Sequence, residues 1–321
     1  MPNYLVKKMK DKFEKFNFDE LIKKGQREFN LKNYHEASFY FQKAYQKKQN
    51  FELNKILTGT LYEDQQFSLA ETYLEDFING YLNNKKLFNL ALKILLKNQS
   101  FINAYEMVIS ASSSFRNDGL RIIRDEEDNF RRKMPLTKKI LTQSFYHLSD
   151  GDFGVQRDRF ESSLKLPLYE WWHGTKFLFL DPYINPLIRA TLIETSQKLR
   201  INEEVNYYWI NNKIYKLNPA HISSLFSDKT YLELKKILSN EIGAKDPVAN
   251  ESLGSTLRMQ ASLFFPKIKD GIFEKQYWID EIVNQYNGIK GMSRMSSKQK
   301  NFFNKVNNLI KNIIRYENTN K

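Results

Sequence analysis

The four histidines are the side chains of this sequence best suited to acid–base catalysis or metal binding near neutral pH. They are spread along the chain, at His35, His147, His173 and His221. Catalysis requires groups that converge, and no HExxH, P-loop, GxSxG or GxGxxG motif brings them together. The chain also has no cysteine, which excludes thiolate metal sites, iron–sulfur clusters and cysteine nucleophiles. We therefore expect a protein that is not an enzyme and that holds neither metal nor cofactor.

Two acidic motifs also fall short of a catalytic site. The acids of Asp125–Asp128 are adjacent in a helical pattern, so they lie on successive faces and do not converge. Asp152, Phe153 and Gly154 spell a kinase signature, but no glycine-rich loop or HRD segment accompanies it. We place this motif in a turn between two helices.

The composition indicates a folded chain whose positive charge is concentrated at its ends. It has 321 residues, 41% apolar and 14% aromatic, with a formal net charge of +13. Such a chain is not disordered, and its length suggests two domains or an elongated repeat array. Residues 289–321 carry +7 and residues 1–17 carry +3, so the rest is nearly neutral. The excess of Lys over Arg is also typical of an AT-rich genome.

No segment of the sequence predicts membrane insertion. Residues 1–16 are basic but lack the apolar run of a signal peptide. No apolar stretch approaches the roughly 18 residues that a spanning helix needs. We therefore expect a cytoplasmic protein with no integral membrane association.

An internal repeat runs through the first third of the chain. Helical periodicity occurs twice within Leu21–Asn50, with a break near Asn30–Asn33. The pattern of the second helix then recurs at offsets of 33 and 34 residues, as Tyr34, Ala37, Phe41 and Ala44; Phe67, Ala70, Leu74 and Phe77; and Phe101, Ala104, Val108 and Ala111. Small residues in the first helices follow a similar spacing, at Gly25, Gly59 and Ala91. Small residues facing large ones allow two antiparallel helices to pack closely.

This pattern resembles the tetratricopeptide repeat (TPR), a helix–turn–helix of about 34 residues. The first copy carries the resemblance best, although Glu28 replaces an aromatic residue and Gln49 replaces the closing proline. A weaker fourth copy, with Gln156 in place of an alanine, ends at Pro167. The resemblance implies a mainly α fold, with a right-handed helical solenoid over residues 18–167. We interpret the charged segment 117–133, between copies three and four, as a helix with a solvated face.

In TPR proteins the first helices line a concave face that binds a partner. The matching positions here are Ile22, Gln26, Asn30, Lys55, Gly59, Tyr62, Asn89, Lys93 and Lys97. Their amides and lysines suit an extended peptide of acidic character, although solvated, unselective lysines would show the same pattern. The TPR subset that clamps the carboxyl termini of chaperones needs Lys and Asn where Ile22 and Gln26 stand, so we do not predict that ligand.

Residues 168–288 predict a small α+β unit. Its β-hairpin lies near residues 204–218, with Asn211–Asn212 as a two-residue turn and with Val205, Tyr207, Trp209 and Ile214 on one face. The order of repeats followed by this unit resembles TPR-containing proteins of low-GC Gram-positive bacteria, whose C-terminal unit has no assigned function.

Residues 289–321 predict a linker followed by a basic amphipathic helix. Its cations are Lys298, Lys300, Lys305, Lys311 and Arg315. The apolar face of this helix either packs back on the protein or meets a partner, a nucleic acid or a membrane surface.

Together these features predict an adaptor that binds a protein or peptide through the concave repeat face. The alternative is a factor that binds RNA or the ribosome through the basic helix, and a weaker alternative is membrane-surface attachment through that helix. The sequence does not determine the oligomeric state.

Overall fold

The computed structural model describes residues 16–243, 246–289 and 294–319. Over these ranges the chain is mainly helical, with 17 α-helices and one two-stranded antiparallel sheet, as the sequence predicts. Two compact units form: the first comprises the described residues up to Pro135 together with Lys165–Pro167, and the second comprises 136–164 and the described residues from Leu168 onward. The predicted basic segment 1–17 lies outside the described residues except for its last two.

The helices of the first unit follow one another as α1 (Phe18–Asn30), α2 (Tyr34–Lys47), α3 (Phe51–Glu63), α4 (Phe67–Glu75), α5 (Ile78–Tyr81), α6 (Lys85–Lys97), α7 (Phe101–Ser110) and α8 (Ser113–Lys133). Asparagine starts the first helix of each of the three hairpins. The side chains of Asn17, Asn50 and Asn84 each accept a hydrogen bond from a backbone N–H in the first turn of α1, α3 and α6. Such caps satisfy amide groups that have no partner within the helix.

The three helical hairpins share one turn geometry. Lys32, Gln65 and Gln99 have left-handed backbone conformations, with φ of 62°, 58° and 62°. The residue after each of them donates its backbone N–H at 2.9 Å to a carbonyl of the preceding helix, which is the bond of a Schellman cap. The turns are spaced as the sequence repeats are, so the chain repeats the same local structure three times.

Small residues at the repeated positions let the helices pack closely. Ala37, Ala70 and Ala104 occupy equivalent positions in the second helices and are all 0% exposed. In α1, a Cβ atom added to Gly25 would lie 2.6 Å from the Phe41 ring. Each hairpin packs on the next through its second helix, while α3 also contacts α6 and α6 contacts α8.

The second hairpin departs from the predicted pattern at Phe77. The repeat places Phe77 within one continuous helix, but α4 ends at Glu75 and α5 begins at Ile78. The interruption directs Tyr81 into the interior, where its hydroxyl donates to Asn54 Oδ1 at 2.6 Å and lies 2.8 Å from Thr58 Oγ1. A buried polar network therefore forms at this position of the second hairpin.

The charged segment 117–133 forms most of α8, so it is a helix with a solvated face as predicted, but it also has a buried side. Gly119, Ile123, Glu127 and Phe130 are buried and recur at helical spacing along one side. This side packs on α6 and α7, so α8 extends the packing of the repeats by one more helix. Apart from the buried Glu127, the charged residues of this segment lie on its outer faces.

The second unit contains α9 (Pro135–Tyr146, of which Pro135 belongs to the first unit), α10 (Phe153–Ser163), α11 (Leu168–Leu178), α12 (Pro186–Lys198), β1 (Val205–Tyr208), β2 (Ile214–Leu217), α13 (Lys229–Leu238), α14 (Pro247–Phe264), α15 (Ile268–Gly271), α16 (Lys275–Tyr286) and α17 (Ser297–Thr319). Short 3₁₀ turns at Pro219–His221 and Leu225–Ser227 and a π turn at Ser239–Gly243 connect them. Gln156, at the alanine position of the predicted fourth repeat, is buried and accepts a hydrogen bond from the Asn185 N–H at 2.8 Å. This position therefore holds a polar contact and not a tight helix crossing.

The β-hairpin forms where predicted, but its register is shifted. Tyr208 pairs with Ile214, and a loop with Asn212 at φ 64° joins the strands. The Trp209 N–H donates to the Lys213 carbonyl, so the loop between these two residues has three residues and not the predicted two. The extra residue shifts the register by one, and Ile214 therefore lies on the face of the hairpin opposite to Trp209. Ile214 is 60% exposed, whereas Trp209 is 2% exposed, so the prediction that they share a face is wrong.

The C-terminal helix α17 is part of the second unit. Phe303, Val306, Ile310 and Ile313 are at most 8% exposed, and the Phe303 ring lies 4.8 Å from the Trp278 ring. Its apolar face packs back on the protein, which is the first of the two alternatives for this helix. No helix in the described part of the chain is long and apolar enough to cross a membrane.

Candidate functional site

A cavity of about 440 Å³ lies in the first unit between α6 and α8. Three of the predicted groove residues, Tyr62, Lys93 and Lys97, line it. Tyr62 comes from the last turn of α3, and the two lysines are one helical turn apart on α6. The helices that the repeat pattern places side by side thus bring these three side chains to one site. We call this site the α6–α8 cavity.

The inner wall of the α6–α8 cavity is apolar and firmly packed. Phe101 and Phe130 are 1% and 5% exposed, and their rings meet edge to face with centroids 5.4 Å apart. Leu96, Ile122 and Met134 complete this wall. An apolar wall behind a charged rim is typical of ligand pockets, in which burial supplies affinity and a few polar groups orient the ligand.

The rim of the cavity is predominantly basic. Lys93, Lys97 and Lys133 are exposed lining residues, and none of them forms an ion pair in the described structure. Glu126 is the acidic residue of this lining. The rim therefore has three free ammonium groups against one carboxylate, an arrangement that attracts anionic ligands.

Buried hydrogen bonds position the helices around the cavity. Glu71 on α4 is 7% exposed and accepts hydrogen bonds from Ser100 Oγ at 2.7 Å and from Asn103 Nδ2 at 3.0 Å. On the other side of α7, the Tyr105 hydroxyl donates to the buried Glu127 carboxylate of α8 at 3.3 Å. Burial of Tyr105 raises the pKa of this hydroxyl. These contacts hold α7 between α4 and α8, and α7 supplies the Phe101 wall.

The remaining predicted groove residues lie outside this cavity. In α1, Ile22 is half-buried, and Gln26 and Asn30 are exposed and hydrogen-bonded to each other at 3.2 Å. Asn89 is exposed on α6, and Gly59 is half-buried on α3. The Lys55 ammonium interacts with neighbours in its own helix: it pairs with Glu52 at 2.8 Å and lies 4.9 Å from the Phe51 ring centroid.

None of the residues that α8 contributes to the cavity was predicted from the sequence. The cavity lining includes Ile122, Phe130 and Lys133 of α8. The many charged residues around them make the apolar side of this helix difficult to recognise in the sequence. The spacing of Gly119, Ile123 and Phe130 was the available signal, since it marks one helix face.

The four histidines do not come together in one site. Among the described residues, no three His, Asp or Glu side chains come together as metal ligands. His221 is exposed in a 3₁₀ turn. The other three histidines each meet a near neighbour through Nδ1: His35 with Asp64 at 3.2 Å, His147 with Asp150 at 2.8 Å, and His173 with the Tyr169 carbonyl at 2.9 Å. Asp152 caps α10 by accepting from the Val155 N–H, but Phe153 and Gly154 belong to the first turn of α10, so the predicted turn contains only the first residue of this motif.

The predicted cations of α17 have different environments. Lys305 donates to the Ile210 carbonyl oxygen at 2.5 Å, and burial lowers the pKa of its ammonium. It therefore supports the hairpin and is not a free surface charge. Lys300, Lys311 and Arg315 are exposed, while Lys298 lines a separate pocket.

The chain matches no protein-family model, and no curated protein and no solved structure is significantly similar to it.

Proposed function

We propose that the protein is a cytoplasmic, non-catalytic adaptor of the TPR type that binds an acidic peptide segment of another protein in the α6–α8 cavity. The repeated hairpins form a helical solenoid in this proposal, and the first helices, extended by α8, provide the binding face. The observation that carries the proposal is the convergence of Tyr62, Lys93 and Lys97 on one cavity with an apolar wall.

The cavity chemistry suits a peptide in which acidic and apolar residues are combined. The free ammonium groups of Lys93, Lys97 and Lys133 attract carboxylates, and the Phe101–Phe130 wall accommodates one or two apolar side chains. Charge attraction alone gives weak, salt-sensitive association, so the apolar wall is needed for selectivity.

The test is the binding of short fluorescein-labelled peptides to the full chain, followed by fluorescence anisotropy at about 0.15 M salt. Three probes share the same Leu and Phe residues, interleaved with Glu, with Gln or with Lys. We expect the Glu probe to bind tightest and the double variant Lys93→Glu, Lys97→Glu to weaken its binding at least about tenfold.

A matched control is available on the same helix. Lys85 and Lys86 are exposed at the start of α6 and do not line the cavity. Lys85→Glu with Lys86→Glu changes the net charge equally, and we expect it to leave the affinity within about threefold of the wild type. Equal loss in both pairs, or no preference for the Glu probe, would overturn the proposal.

A further inference from the structure

We propose that a second, independent site in the second unit binds single-stranded nucleic acid. It is a pocket of about 590 Å³ between the β-hairpin, α15 and the start of α17. This inference does not rest on the peptide site of the first unit. We call it the Lys–aromatic pocket after the side chains that line it.

Aromatic side chains form the floor and walls of the Lys–aromatic pocket. Trp209 is held in place because its indole N–H donates to the Phe264 carbonyl at 2.9 Å, and it is 2% exposed. The Tyr215 and Phe302 rings lie 5.9 Å and 6.0 Å from the Trp209 ring and are only half-buried. Phe273 is 39% exposed at the mouth. The accessible ring surfaces can stack on nucleobases, and such stacking is tolerant of base identity.

Four lysines surround these rings; Lys275 on α16 is paired with Glu233, and the other three come from three different elements. Lys213 is in the hairpin loop, Lys269 is on α15 and Lys298 is on α17, and none has an ion pair in the described part of the chain. The one acid of the lining, Asp270, is already neutralised by Lys267 at 2.6 Å. The pocket therefore presents uncompensated positive charge beside aromatic rings, as surfaces that bind single strands do.

The walls are held in place by contacts that do not depend on a ligand. The buried Gln299 side chain accepts hydrogen bonds from the N–H groups of Phe273 and Glu274 at 2.9 and 3.0 Å. It donates to the Gly271 carbonyl at 2.8 Å. Lys305 secures the other side through its bond to Ile210. Lys298, next to Gln299, rests 5.1 Å from the Phe273 ring centroid, where it can turn toward a phosphate.

The lining favours a strand over a free nucleotide. Recognition of one particular base requires polar groups directed at its edge, but the amide of the uncharged polar residue here, Asn211, is already bonded to the Tyr215 hydroxyl at 2.7 Å. Stacking and charge remain, and these bind successive nucleotides of a strand without sequence preference.

The test uses fluorescein-labelled single-stranded RNA with the full chain, and AMP and double-stranded RNA as comparison ligands. We expect the single strand to bind best. Lys213→Glu with Lys298→Glu should weaken its binding at least about tenfold and reduce the salt dependence by about one unit of slope. Phe273→Leu should weaken binding about fivefold without changing the salt dependence, because it removes only a stacking surface.

Lys300→Glu with Lys311→Glu is the matched control, because both residues are exposed on α17 and outside the pocket. This pair should weaken binding by less than about threefold. Unchanged tryptophan emission establishes that each variant is folded. The inference is overturned if the strand does not bind, if AMP or the duplex binds as tightly, or if both lysine pairs have equal effects.

Discussion

Gly25 in α1 lies so close to Phe41 in α2 that a Cβ atom at position 25 would be 2.6 Å from the aromatic ring. Phe41 is 0% exposed, so its ring is enclosed by the interior of the hairpin. We therefore expect Gly25→Ala to lower the free energy of unfolding by about 1–3 kcal/mol, through overpacking. Urea unfolding followed by circular dichroism measures this change.

The equivalent residue of the next repeat provides the control with the opposite sign. The Cβ of Gly59→Ala would have its nearest neighbour, a Leu90 methyl group, at 3.8 Å. Alanine stabilises the interior of a helix relative to glycine, so the free energy of unfolding of this variant should be higher by about 0.5–1 kcal/mol. A destabilised Gly59→Ala variant would show that the two repeats pack alike at this position, contrary to the structure.

The Tyr81 hydroxyl links Asn54 and Thr58 in the interior of the first unit. Tyr81→Phe removes a 2.6 Å hydrogen bond and leaves the Asn54 oxygen buried, which should cost about 1–3 kcal/mol of unfolding free energy. Tyr34→Phe is the control, because the Tyr34 hydroxyl forms no hydrogen bond within the described structure. Equal effects of the two variants would contradict the buried network.

The same tyrosine predicts a pH dependence. Burial raises the pKa of Tyr81 from 10.0 to about 12. Because the folded state favours the neutral phenol, its contribution is complete below pH 10 and is lost as the pH rises through about 12. The stability difference between wild type and Tyr81→Phe should therefore shrink above pH 10. Urea midpoints at neutral pH and above pH 10 test this, and a constant difference would contradict it.

Arg189 in α12 is a buried cation held by backbone carbonyls. It is 2% exposed and donates to the carbonyl oxygens of Tyr208 and Ile184 at 3.1 Å each, and also to that of Asp181. Arg189→Met leaves these acceptors without a donor, so we expect a loss of more than about 2 kcal/mol in unfolding free energy.

Arg200→Met is the control for this prediction, since Arg200 is exposed and surface changes are usually within about 0.5 kcal/mol. Tryptophan fluorescence during urea unfolding is the measurement, because all four tryptophans lie in the second unit. A loss no larger than that of the control would show that the guanidinium does not support the β1 strand.

Sequence periodicity predicts the helical hairpins well because small and large residues alternate at fixed spacing. Gly25, Ala37 and Phe41 are interior residues of the first hairpin, as the pattern requires. The turns themselves carry no comparable signal. Lys32 and Gln65 adopt a left-handed conformation that usually favours Gly or Asn, so only the structure reveals their common geometry.

Features that depend on distant contacts were not predictable in this way. The register of the β-hairpin depends on one loop residue, and that residue moves Ile214 to the exposed face. Lys305 has the same sequence character as Lys300, but it is part-buried because the Ile210 carbonyl, far away in sequence, lies next to it. Only part of the α6–α8 cavity was predictable from the sequence. Its lining residues on α3 and α6 occupy repeat positions that predict a groove, whereas those on α8 lie outside the repeat pattern.

Hydrogen–deuterium exchange of the full chain with and without the Glu-containing apolar peptide tests the central claim most directly. The α6–α8 cavity predicts slower exchange in peptides covering 85–97 and 113–134. It predicts no change within the described residues of the second unit. Protection confined to the second unit, or no protection at saturating peptide, would contradict binding in the α6–α8 cavity.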